Sequence, residues 1–180
     1  MAPMLPGPNP DRLSLAEVLP SCLAAVSGEE NSLGFPEANR VVVVLIDGLG
    51  VAALRSRAGH ARAMSAALHG SIDTVFPTTT AAALASLATG LLPGAHGLVG
   101  YSVFDAANDR VVNQLSGWDD RLDPYTGQRR PTVFERARGV GLSAVAVGPA
   151  RYSDSGFTRA VLRGADYRSA GSIEIGRAHV

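Results

Sequence analysis

The run Val41-Val42-Val43-Val44-Leu45-Ile46 constrains the fold more than any other stretch. Its six residues are all apolar, five are β-branched, and Arg40 and Asp47-Gly48 bound it. A short continuous apolar run between polar and turn residues predicts a strand buried on both faces, the kind found at the centre of a parallel α/β sheet. Asp47 then falls at the carboxyl end of that strand, where open α/β sheets bind their ligands. An aspartate there either serves a ligand or caps a helix starting near Leu49, and the run alone does not choose between the two.

The second informative stretch is Asp73 to Gly100, D-T-V-F-P-T-T-T-A-A-A-L-A-S-L-A-T-G-L-L-P-G-A-H-G-L-V-G. Ser71 to Phe76 reads as a strand, and Phe76-Pro77 ends it, because the residue before a proline is pushed out of helical geometry. Thr78, Thr79 and Thr80 sit where a helix begins. Ala81 to Ala88 forms that helix, Thr89-Gly90 closes it, and Pro93 blocks its continuation. Between the two strands, Val51 to His69 reads as a helix broken near Gly59. Strand, helix, strand, helix in that order gives parallel strands with right-handed crossovers. Asp47 and the threonines are therefore expected on one edge of the sheet. Free N–H groups and the macrodipole at a helix start favour an anion. A threonine there caps the helix or attacks a bound phosphate, and capping is the commoner duty.

The remaining segments fit an α/β chain. Leu13 to Val26 has helical spacing, with Ser14 as a cap and Pro20 as a break. Leu98 to Asp105 and Arg110 to Leu115 form a hairpin around Ala106-Ala107-Asn108-Asp109. Trp118 to Arg130 is a polar loop, Pro131 to Arg138 a helix ended by Gly139, Leu142 to Val147 a third buried strand, and Phe157 to Leu162 a short helix.

Composition excludes several classes. With 46% hydrophobic and 18% charged residues the chain can bury a sizeable core, and its formal net charge of +0 argues against a nucleic-acid surface built on bulk charge. The single cysteine, Cys22, rules out an internal disulfide and fits a reducing compartment. No apolar stretch is long enough to span a bilayer, and the proline-rich start lacks the pattern of a secretory signal, so a cytoplasmic protein without a membrane partner is expected. All basic residues are arginine, a bias of GC-rich bacterial genomes. The sequence divides into a lead-in over residues 1–40, a catalytic-type α/β region over 41–174, and a tail over 175–180. That tail, Ile175-Gly176-Arg177-Ala178-His179-Val180, translates one frame of a common sequencing adapter. Native sequence is therefore expected to stop near Ser172 to Glu174, with the chain an N-terminal fragment.

Taken together, V-V-V-V-L-I-D-G-L-G, F-P-T-T-T-A-A-A-L-A-S-L-A-T-G-L-L-P-G-A-H-G-L-V-G-Y and P-T-V-F-E-R-A-R-G-V-G resemble the type I phosphodiesterase/nucleotide pyrophosphatase group of the alkaline phosphatase superfamily. The similarity covers Val41 to Arg163. It implies a truncated alkaline phosphatase-like α/β fold, a three-layer sandwich with a mostly parallel central sheet. It also implies hydrolysis of a small-molecule phosphate ester, diester or monoester, through a phospho-threonine intermediate. Two divalent metal ions, usually zinc, accompany that chemistry, because a metal can expose an alkoxide and a metal pair about 4 Å apart can stabilise attacking and leaving oxygens. By position Thr80 matches the nucleophile and a metal contact, Asp47 matches a metal ligand on the first strand, and Thr78 is structural. His96-Gly97 matches a turn that shapes the site, with His96 structural and not a ligand. The family's other metal ligands lie beyond the end of this chain, so the fragment itself is expected to be inactive. Ala83 stands where many nucleotide pyrophosphatases have an asparagine that helps hold phosphate, which shifts the expectation from nucleotides towards a related phosphohydrolase or phosphomutase-like activity. A sulfatase is disfavoured because Cys22 is far from Thr80. A non-catalytic α/β domain binding an anion at Thr78 to Thr80 is the alternative. Oligomeric state is left open.

Overall fold

The computed structural model describes residues 12–171. The tail over 175–180 and the proline-rich start lie outside that range.

The chain is organised on α4, Thr80–Thr89, whose Ala81, Ala82, Ala85, Ser86, Leu87, Ala88 and Thr89 are all buried. Small side chains on nearly every face let neighbours approach from several directions. A 3₁₀ turn at Leu15–Glu17 leads into α1, Val18–Val26, and both pack on α4. Ser14 caps that turn in a reciprocal box with Glu17, its side chain accepting from Ala16 N–H while its own N–H donates to the Glu17 carboxylate. Pro20 does not break the helix: it lies in the first turn of α1, where a missing N–H loses no helical hydrogen bond.

Next come α2, Val51–Ser56, and α3, Arg62–Ala66, separated as expected around Gly59. A short helix α5, Pro93–His96, follows α4, with Pro93 opening it instead of merely stopping its predecessor. The hairpin forms as predicted: β1, Ser102–Asp105, pairs antiparallel with β2, Arg110–Asn113, with Asp105 opposite Arg110. Asp123 caps α6, Pro124–Gly127, inside the segment read as a loop. Thr132 caps α7, Val133–Gly139, in a second reciprocal box with Glu135. Strand β3, Val145–Gly148, pairs parallel with β4, Asp166–Ser169, across a connection that contains α8, Gly156–Val161.

The main core gathers Ala81, Ala85 and Ala88 of α4 with Leu98 and with Phe157, Ala160 and Val161 of α8. Trp118, Phe134 and Leu115 close over it. Leu98 is completely buried, which contributes about 2 kcal/mol.

The sheet expectation is corrected in part. The chain is α/β, but among the described residues the sheets are two-stranded, one antiparallel and one parallel. Val41–Ile46 has no ladder partner and no assigned strand, and its residues are 40–78% exposed. Ser71 to Phe76 makes one isolated parallel bridge, Ser14 with Asp73, held by Leu15 N–H to Asp73 O at 2.8 Å and Asp73 N–H to Leu13 O at 2.9 Å. β3 is shorter than expected, and Val145 and Val147 stay about half exposed. An apolar run prescribes an extended backbone, but burial also requires a neighbour on each side, and that is supplied by other segments.

Candidate functional site

The threonine turn is built by helix capping. Thr79, and not Thr78, is the N-cap of α4: its backbone is extended and Ala82 N–H donates to its Oγ1 at 3.3 Å. Thr78 is exposed. With Thr79 committed to the cap, Thr80 becomes the first helical residue and its hydroxyl is released from local duty. At the far end of α4, Gly90 adopts φ +72 and its N–H donates to Ser86 O, closing the helix in a left-handed turn.

Asp47 reaches the same point from the end of the apolar run. Gly48 turns the chain there with φ +72, and Gly50 is the N-cap of α2. The Thr80 hydroxyl donates to Asp47 Oδ2 at 3.0 Å across 33 residues of sequence. The two residues singled out by spacing are therefore neighbours, although Val41–Ile46 has no strand beside it. Asp47 does not spend its carboxylate on capping α2, whose N-cap is Gly50 with no side-chain cap.

A third group completes the cluster. Tyr101 Oη lies 3.2 Å from Thr80 Oγ1. Sequence spacing does not single out Tyr101, although it directly follows H-G-L-V-G in the motif. Its signal was proximity to the exit loop from α4, and only the path of that loop shows that it turns back onto Thr80. The Tyr101 carbonyl accepts from Gln114 N–H at 2.6 Å, which ties it to the end of the hairpin. The hairpin in turn is fastened by Arg110, whose Nε binds Asp105 Oδ2 at 3.0 Å and whose two terminal nitrogens grip Asp119 at 2.6 and 2.7 Å. That bidentate grip holds the Asp119 carboxyl well below the usual carboxylate range.

His96 is buried against Ser86 of α4. Leu98 N–H donates to its Nδ1 at 3.1 Å, so Nδ1 carries a lone pair and Nε2 carries the proton. Nε2 faces Ser86 Oγ at 2.9 Å and donates to it. Both ring nitrogens are engaged inside the fold. Burial pulls the imidazole down to about 4, so the ring is neutral at pH 7.

Metal-ligand chemistry can be tested on the donor set. Asp47 and Thr80 offer one carboxylate and one hydroxyl, whereas a catalytic zinc takes three protein ligands. Among the described residues, no group of three or more His, Cys, Asp and Glu side chains could hold a metal ion. These residues do not by themselves fit a metal centre. Nor is any helix among the described residues long and apolar enough to cross a membrane.

The hydroxyl of Thr80, at the start of α4, thus meets a carboxylate and a phenol from two other segments of an α/β chain. The type I phosphodiesterase / nucleotide pyrophosphatase family model matches residues 41–161, more than half of the chain, and the chain belongs to that family. Its members hydrolyse phosphoester bonds. No curated protein and no solved structure matched the chain.

Proposed function

We propose that this chain carries the phosphoryl-accepting part of a phosphoester hydrolase in which Thr80 is the nucleophile and a phospho-threonine is the intermediate. The supporting observation is the 3.0 Å hydrogen bond from the Thr80 hydroxyl to Asp47. Attack by Thr80 Oγ1 on phosphorus forms the Oγ–P bond and breaks the bond to the ester oxygen. The hydroxyl proton passes to Asp47 Oδ2, already in line to receive it, and the leaving oxygen takes the electron pair. The free N–H groups at the start of α4 favour the anionic phosphoryl group. The substrate is a small phosphodiester or phosphomonoester. Ala83 has no polar side-chain atom with which to hold a nucleotide's phosphate.

In the family's metal-dependent chemistry Asp47 and Thr80 would be two of the oxygen donors. With no group of three or more metal-ligating side chains among the described residues, the chain is expected to accept a phosphoryl group and to fail to turn over. Residues 41–174 form the catalytic-type region in this assignment.

The test uses 4-nitrophenyl phenylphosphonate, an activated ester. Incubation should place one phenylphosphonyl group on Thr80, located by peptide mass spectrometry, and Thr80→Ala should take up none. Binding of the anion without covalent capture would instead leave an anion-binding domain.

A further inference from the structure

We propose that the cavity beside the β1–β2 hairpin binds a small neutral molecule built of one aromatic ring and one O–H or N–H donor, with Gln114 as its hydrogen-bond acceptor. The cavity has a volume of about 230 Å³, and its walls include Gly97, Val103, Phe104, Gln114, Trp118 and Leu122. Asp47, Thr80 and Tyr101 do not line it, so the site stands whether or not Thr80 is the nucleophile.

Gln114 is the first residue after β2, and strand alternation puts it on the same inward face as Val112. It is only 4% exposed. Its backbone is fully engaged: its N–H donates to Tyr101 O at 2.6 Å, and its carbonyl accepts from Trp118 Nε1 at 2.5 Å. Its side-chain Oε1 is buried as well and has no donor among the described residues. A buried acceptor without a donor costs stability, and folded chains leave few of them. Because Gln114 lines the cavity, a donor on a bound molecule is the partner that Oε1 lacks.

The fixing of Trp118 keeps the cavity open. A β-carbon at Gly127 would lie 2.5 Å from Trp118 Cζ3, and one at Gly156 would overlap Trp118 Cβ. The indole is therefore lodged against two glycines, with its N–H committed to Gln114 O, and does not swing in to fill the space. An apolar cavity of about 150 Å³ holds benzene. The larger volume here, bounded by Trp118, Phe104, Val103 and Leu122, has room for one ring with a polar group. Asp105 also lines the cavity, but Asn108 and Arg110 both bind its Oδ2, at 2.8 and 3.0 Å. Arg110 already matches that charge, so the site favours a neutral donor over a cation.

Phenol and anisole are the probes, since they share the ring and only phenol donates. The readout is the fluorescence of Trp118, the single tryptophan of the 180-residue chain, excited beyond the absorption of either probe. Phenol should change the emission saturably, with intermolecular NOEs to Trp118 and Leu122. Gln114→Met should weaken phenol binding about threefold to tenfold and change anisole binding by less than about twofold. In wild type, phenol and not anisole should shift the Gln114 side-chain carbonyl carbon resonance, which tests the acceptor without a variant. No saturable change, or NOEs only to other residues, overturns the site. Equal weakening of both probes by Gln114→Met, no weakening of phenol, or an unshifted Gln114 resonance overturns Gln114 as the acceptor and the ligand class with it.

Discussion

At the scale of single residues, three side chains from distant segments meet at the Thr80 hydroxyl, and His96 takes no part. Its two ring nitrogens are spent on Leu98 N–H and Ser86 Oγ. This predicts a particular pH dependence of stability. The folded imidazole titrates near 4 against 6.5 for an unburied one. Between those values the unfolded chain binds a proton that the folded chain refuses, so stability is complete above pH 6.5 and falls as pH drops towards 4. At about 1.4 kcal/mol per unit, the loss is on the order of 3 kcal/mol. Urea midpoints measured from pH 7 to pH 4 should show this slope, and His96→Gln should flatten it. An unchanged slope in the variant would assign the dependence to other groups.

At the scale of elements, the site depends on where α4 starts and stops. Thr79 takes the cap and so leaves Thr80 free, which makes adjacent threonines non-equivalent. At the other end Gly90 is confined by its positive φ and by its neighbours: a β-carbon there would lie 2.6 Å from Pro20 Cγ and 3.0 Å from an Arg136 nitrogen. Arg136 also donates to Thr89 O at 3.1 Å, so α7 and α1 both close on this turn. Gly90→Ala should therefore destabilise by at least about 1–2 kcal/mol from backbone geometry alone, read as a lower urea midpoint with an unchanged m-value. A wild-type midpoint would mean that Pro20 and the αL turn both relax freely.

At the scale of the whole molecule, Thr80 is positioned without a large sheet among the described residues. Asp47 reaches Thr80 although the apolar run before it is unpaired, because α4, pinned by the core and by the 3₁₀ turn at Leu15–Glu17, gives the threonine a fixed place. Position and metal content are separable here. Two oxygen donors do not retain zinc, so the chain exchanged into zinc and desalted should carry well under one zinc per chain by elemental analysis. Nitrophenolate release should stop at one equivalent. Stoichiometric zinc with sustained turnover would show that other residues complete a centre.

Sequence alone determined the local choices, since these depend on near neighbours. The alanine-rich helix with its glycine stop, the hairpin at Asp105 and Arg110, and the cap at Ser14 all follow from contacts among residues close in sequence. Motif spacing likewise pointed to Asp47 and Thr80. Only the tertiary structure decided what lies far apart in sequence. Thr79 became the cap and Thr80 the first helical residue, because α4 begins one residue earlier than the alanine run suggests. Val41–Ile46 remained without a partner because apolar composition specifies a strand-like backbone but not its neighbour. Tyr101 joined Thr80 because the loop after α4 folds back, and the direction of a loop is set by what it packs against, not by the residues within it.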